Sequence, residues 1–124
     1  MKGNFPDFYA SPQELYTKTG DGRNLVVLSG YAVLNFKGSG GSWRRVTGEM
    51  VRGPKWKRLD DVVPIISLAA IANQGHAIEA GWAVDWCNWY NLNSQIYLKF
   101  GLAIRDVDGW LCRVAYHITA VGIL

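Results

Sequence analysis

Apolar and polar residues alternate along much of this chain, with the period of two that is typical of β-strands with one buried face. The pattern is clearest at residues 95–105, where every second position from Ile96 to Ile104 carries a large apolar side chain. Residues 111–121 alternate in the same way, and Asp108-Gly109 between the two segments is typical of a hairpin turn. We therefore expect these two segments to pair as a β-hairpin.

Strand patterns also occur in four other segments, namely residues 24–36, 43–52, 62–73 and 76–89. The apolar run at 62–73 fits either a strand buried on both faces or a short helix begun by Asp61 and Pro64, and we favour the strand. In the last segment, strict alternation predicts that Trp82 and Trp86 share one face and that Cys87 lies on the other.

Six or seven short strands with glycine-rich turns predict an all-β fold, either an antiparallel β-sandwich or a barrel-like sandwich. Residues 1–20 have no clean period and carry Pro6 and Pro12 among aromatic residues, so they predict an N-terminal arm with at most one helical turn after Ser11. Residues 21–124 predict a single β-sandwich domain, because the chain is long enough for one core and short for two.

The composition is apolar and poor in charge. Hydrophobic residues make up 49% of the chain and charged residues 19%, against about 25% charged residues in ordinary soluble domains. These values exclude a disordered or coiled-coil chain. Strand positions that should face solvent carry residues such as Ala83, Tyr97 and Gly101, which predicts contacts between copies of the chain. The leading hypothesis is a homo-oligomer, such as a trimer, acting as a structural or receptor-binding attachment protein of a virion, tail fibre or similar assembly.

The tryptophan-rich segment at residues 82–93 combines aromatic rings with asparagine amides. Rings suit the apolar C–H faces of a sugar and amides suit its hydroxyl groups, so a lectin-like carbohydrate-binding module is the alternative hypothesis. The competing interpretation assigns the tryptophans to the core and the asparagines to a strand end and its turn. The candidate sugar-binding residues are Trp86, Asn88, Trp89, Tyr90, Asn91 and Asn93.

Cations are concentrated in residues 37–58, where seven Lys/Arg accompany a single acidic residue, Glu49. With Trp43 and Trp56 among them, this composition is typical of a groove for single-stranded nucleic acid. Alternation divides the cations between the two faces of a strand, so we rank nucleic-acid or other polyanion binding below the first two hypotheses. The candidate polyanion-binding residues are Arg44, Arg45, Arg52, Lys55, Lys57 and Arg58.

Patterns for catalysis, cofactors and metals are sparse. His76 and His117 have no Cys, His or carboxylate at the spacing of a catalytic triad or a metal site. We therefore predict no cofactor and no metal, and we rank a hydrolase last. Cys87 and Cys112 occur without a secretory signal, which favours free thiols over a disulfide.

The sequence also bears on location. The longest apolar run, at residues 62–72, is shorter than the roughly 20 residues that a membrane-spanning helix needs. The first residues lack the apolar core of a signal peptide. We therefore expect no membrane span. We also expect synthesis in the cytoplasm, which is compatible with later incorporation into an extracellular or virion assembly.

Overall fold

The computed structural model describes residues 5–35, 42–71, 81–105 and 111–124. These residues form two antiparallel sheets, sheet I with the strand order β1-β2-β7-β4 and sheet II with the order β3-β6-β5. The predicted all-β antiparallel sandwich is confirmed. The strands are β1 (Phe8–Lys18), β2 (Asn24–Asn35), β3 (Arg44–Arg52), β4 (Arg58–Ile71), β5 (Gly81–Leu92), β6 (Gln95–Arg105) and β7 (Leu111–Ile123).

The core lies between the two sheets and is built from alternate residues of the strands. On β6, all five apolar residues from Ile96 to Ile104 at every second position are fully buried. Sheet I contributes the matching positions of β2 and β7, with Tyr116 the largest fully buried side chain among the described residues. Because each of these strands buries every second residue, its other residues form the outer faces of the sandwich.

The predicted hairpin between residues 95–105 and 111–121 is wrong. Strand β6 pairs with β3 and β5, whereas β7 pairs with β2 and β4 in the other sheet. Both strands are interior strands with one apolar face, and these faces meet across the core instead of lying side by side. Asp108-Gly109 lies outside the described residues, as do residues 76–80 of the predicted strand at 76–89.

The strand interpretation of residues 62–73 is confirmed for the part that is described. β4 pairs with β7 from Arg58 opposite Ile123 to Ile71 opposite Cys112. A short helix would have left this side of β7 without backbone partners. Pro64 is accommodated because β4 is an edge strand, where a missing N–H leaves no gap in an interior ladder.

Residues of the expected N-terminal arm form the edge strand β1, which pairs with β2. No helical turn follows Ser11. Instead, the pairing register shifts between Ala10 and Gln13, and Ser11 adopts a φ of 49°. This bulge carries the chain past Pro12, and β1 continues to Lys18 with the side chains of residues 11–18 exposed.

The connection between β5 and β6 is a two-residue turn. Asn93 and Ser94 both have positive φ, 51° and 67°, as a type I′ turn requires. The Asn91 side-chain oxygen accepts a hydrogen bond from the Ser94 backbone N–H at 3.0 Å. Two of the asparagines after Trp89 are therefore used to form this turn.

Gly48 on β3 provides a test of how tightly the core side of sheet II is packed. A Cβ at Gly48 would overlap the ring of the buried Phe100, which lies directly opposite it on β6. We expect Gly48→Ala to lower the free energy of unfolding by about 1–3 kcal/mol, because a filled core has no room for another methyl group. Urea denaturation measures the effect.

The matched control for this substitution is Gly20→Ala, since a Cβ there meets no atom within 4 Å. Its expected effect is within about 0.5 kcal/mol of zero. Equal stability of the two variants would contradict the packing described here.

Candidate functional site

A β-bulge in β5 decides which aromatic side chains of this strand are buried. Val84 pairs with Leu102, but the next paired residue is Trp86, opposite Gly101, so Asp85 is an extra residue in the ladder. Trp82 and Val84 face the core before the bulge, and Cys87 and Trp89 face it afterwards. The prediction that Trp82 and Trp86 share a face is therefore wrong, because strict alternation does not hold across a bulge.

The six candidate sugar-binding residues are consequently divided among three positions. Trp86, Asn88 and Tyr90 lie on the outer face of sheet II. Trp89 packs against the core, in line with the competing interpretation of the tryptophans. Asn91 and Asn93 belong to the turn that joins β5 to β6.

Residues of β3 and β6 complete the outer surface beside Trp86, Asn88 and Tyr90. Asn88 is opposite Lys99, Tyr90 is opposite Tyr97, and Glu49 of β3 is opposite Lys99 on its other side. We call this set the aromatic patch: Glu49, Trp86, Asn88, Tyr90, Tyr97 and Lys99. Sequence reasoning missed three of these residues, although the Asn93-Ser94 turn would have placed Tyr97 and Lys99 beside Tyr90 and Asn88.

Both rings of β5 in the aromatic patch are held against the sheet and remain accessible. The Trp86 indole lies over Gly101, where the absence of a side chain lets it approach the backbone, with Cδ1 only 2.7 Å from the Cβ position of an alanine. Tyr90 contacts Tyr97 with 5.9 Å between ring centroids and a tilt of 45°. Trp86 is 38% exposed and Tyr90 is 48% exposed.

Glu49 is a buried carboxylate in the aromatic patch. It accepts a hydrogen bond from the Tyr97 hydroxyl, and Lys99 Nζ lies 3.9 Å from Glu49 Oε1. The hydrogen bond to Glu49, together with burial and the negative charge of Glu49, raises the pKa of Tyr97 to about 12. The Tyr97 hydroxyl is thus a fixed proton donor at physiological pH.

The outer face of sheet I has a different chemistry. Two rows of side chains cross its four strands at the centre, and neither contains Asp, Glu, Lys or Arg. Val63 and Ile65 of β4 are each 55% exposed, and Leu15 of β1 is also exposed. We call these two rows, which combine four aliphatic with four polar side chains, the aliphatic face: Leu15, Val27, Thr119 and Val63, then Gln13, Ser29, His117 and Ile65.

The candidate polyanion-binding residues do not form a single stripe. Arg45 is 3.7 Å from Asp85 on the outer face of sheet II, and Arg58 pairs with Asp60 at 2.7 Å. Arg52 turns towards the core side of β3 and lies over the ring of Tyr9. The remaining three, Arg44, Lys55 and Lys57, are exposed near the two ends of β3.

Histidine and cysteine are the residue types that most often serve catalysis or redox chemistry, and the sequence predicted no such role for them here. His117 Nδ1 lies 2.9 Å from Ser29 Oγ on the aliphatic face, and no carboxylate is bonded to His117 in the part of the chain that the structure describes. His76 lies outside that part. Cys87 is a free thiol facing the core, and burial raises its pKa. Residues 5–35, 42–71, 81–105 and 111–124 contain no cluster of three metal-ligating side chains and no helix of membrane-spanning length and hydropathy.

The Tyr97–Glu49 hydrogen bond makes a spectroscopic prediction. Replacing the carboxylate in Glu49→Gln removes the charged acceptor, so the pKa of Tyr97 should fall from about 12 towards its ordinary value near 10. Titration of the tyrosinate absorbance of the folded protein measures this shift. Tyr16→Phe is the control, since it removes another tyrosine without touching Glu49.

The same pKa sets a pH window for stability. Between pH 10 and 12 the folded protein keeps the Tyr97 proton while the unfolded chain loses it. The contribution of the raised Tyr97 pKa to the free energy of unfolding is complete below pH 10 and is lost as the pH rises to 12. The measurement compares the free energy of unfolding of wild type with that of Glu49→Gln between pH 10 and 12. The advantage of wild type should shrink over this range, and an advantage that grows would contradict the assignment.

Comparison with known proteins adds no relative. No protein-family model, no curated protein and no solved structure matches this chain. The functional interpretation therefore depends on the aromatic patch and the aliphatic face, which occupy opposite sides of the sandwich.

Proposed function

We propose that this protein is a structural or attachment component that works as a homo-oligomer, with the aliphatic face as the contact between subunits. The observation that carries the proposal is the uncharged, exposed centre of the outer face of sheet I. A component of a virion, tail fibre or similar assembly suits this organisation, because such proteins work through repeated contacts between copies.

Exposed aliphatic side chains of sheet I support this contact. Val63 and Ile65 alternate with buried residues on the edge strand β4, and Leu15 and Val27 continue the surface across β1 and β2. Interface centres are depleted in charge, and exposed aliphatic side chains on such a surface mark contact sites.

The distribution of charge favours a second copy as the partner. Arg113 lies on β7 four residues before His117, and Asp61 is opposite Val121, four residues after it. A two-fold axis running across the strands at His117 would reverse the strand direction of the second copy. Arg113 of one copy would then lie beside Asp61 of the other, and symmetry would form this ion pair twice.

In this arrangement Ile65 of one copy lies opposite Ile65 of the other. Ile65→Lys would bring two ammonium groups together in an apolar contact, and we expect the mass in solution to fall from twice 13.8 kDa to 13.8 kDa. Light scattering at micromolar concentration measures this mass. The control is Leu92→Lys, an exposed position on sheet II whose substitution should leave the mass unchanged. A wild-type monomer would refute the proposal.

The ion pair is tested by exchanging its charges. Arg113→Asp places two carboxylates side by side, and Asp61→Arg places two guanidinium groups side by side, so each variant should weaken dimerisation by roughly tenfold or more. The double variant, Asp61→Arg with Arg113→Asp, should regain most of the lost affinity. Arg45→Asp on sheet II is the control. Additive losses in the double variant would exclude the two-fold arrangement.

A further inference from the structure

The aromatic patch is separate from the proposed subunit contact, because it covers the outer face of sheet II. Trp86 and Tyr90 present partly exposed rings on the same face of β5, with Asn88 between them. Four residues of strand separate the Cα atoms of Trp86 and Tyr90 by about 13 Å. One sugar ring is too short for this span, whereas a chain of repeated units can follow the strand.

Polar groups between the rings indicate the character of such a chain. The Asn88 amide offers both a donor and an acceptor, and Lys99 offers a further donor on the neighbouring strand. Glu49 and Lys99 carry opposite charges at 3.9 Å, so the patch has no net formal charge. An uncharged ligand with many hydroxyl groups matches these features better than a polyanion or a cationic peptide.

We propose that the aromatic patch binds an extended, neutral oligosaccharide, with one hexopyranose ring on Trp86 and another on Tyr90. The apolar C–H faces of the two sugar rings contact the aromatic rings, which supplies most of the buried area. Asn88 and Lys99 hydrogen-bond the hydroxyl groups of the units between them. The proposal does not depend on the subunit contact, since the two surfaces share no residue.

The patch is already arranged for binding. The Trp86 indole is seated over Gly101, and Tyr90 is supported by Tyr97, whose hydroxyl is tied to the buried Glu49. Few side-chain rotations remain to be lost when a ligand binds, which favours affinity. The Arg45–Asp85 pair next to Trp86 joins opposite charges across β6 and leaves the neighbourhood of the rings electrically neutral.

The test is binding to an array that carries neutral glucose- and galactose-containing oligosaccharides beside their sialylated and sulfated counterparts. Wild-type protein should bind neutral chains, and Tyr90→Ala should weaken that binding roughly tenfold or more. Trp86→Ala should act in the same direction. The matched control is Tyr16→Ala on β1, since Tyr16 and Tyr90 are both 48% exposed. Urea denaturation of each variant shows that the fold is retained.

Four results would overturn the proposal. These are the absence of binding to any neutral oligosaccharide, binding only to the sialylated or sulfated glycans, binding unchanged in both Tyr90→Ala and Trp86→Ala, and a fall in solution mass in either variant. The last result would make the patch a contact between copies. The monomeric Ile65→Lys variant should retain the affinity of a single site, so failure of the subunit proposal and failure of the glycan proposal are separate outcomes.

Discussion

The structure depends on the burial of the inward faces of β6 and β7 in one core between the two sheets. Each is an interior strand of its sheet, and the inward side chains from Ile96 to Ile104 and from Val114 to Ala120 are buried. Full burial of each large aliphatic side chain stabilises the fold by about 1.5–3 kcal/mol. Backbone pairing then determines which residues of the neighbouring strands face inward. Apart from the bulges in β1, β4 and β5, the composition of both outer faces thus follows from the burial of these two strands.

The least expected contact within the sandwich involves Arg52. Its guanidinium carbon lies 4.2 Å from the ring centroid of Tyr9 and 5.2 Å from that of Tyr116, and the two rings meet edge to face. A cation of β3 in sheet II therefore packs on the rings of two strands of sheet I, which joins the sheets near the start of β1. Burial also raises the pKa of Tyr9. This cation serves the fold, although composition alone assigned it to polyanion binding.

The parts of the fold that depend on local pattern could be predicted from the sequence. β6 runs from Gln95 to Arg105, as its alternation indicated, and the all-β class follows from several such segments. The pairing of strands could not be predicted, because the choice between a β6–β7 hairpin and two sheets is made by contacts distant in sequence. Strand β1 is a similar case, since its edge position is defined by β2 and not by its own pattern.

For the aromatic patch, residue types were predictable and their grouping was not. Aromatic rings and amides were identified between Trp86 and Asn93, but alternation alone could not reveal the extra residue at Asp85. The partners Tyr97 and Lys99 followed from the two-residue turn at Asn93-Ser94, a signal present in the sequence. Glu49 could not be found in this way, because β3 reaches β6 without a connecting turn.

The bulge at Asp85 also affects how this protein can change during evolution. Substitutions alter the side chains of β5 one at a time, but loss of a single codon at the bulge would restore strict alternation. With the Asn93-Ser94 turn unchanged, Trp82 and Val84 would still pair with Ile104 and Leu102 and face the core, while Trp86, Cys87 and Trp89 kept their places. The pairing of β5 with β6, more than the number of residues in β5, therefore maintains the division of the tryptophans between the core and the surface.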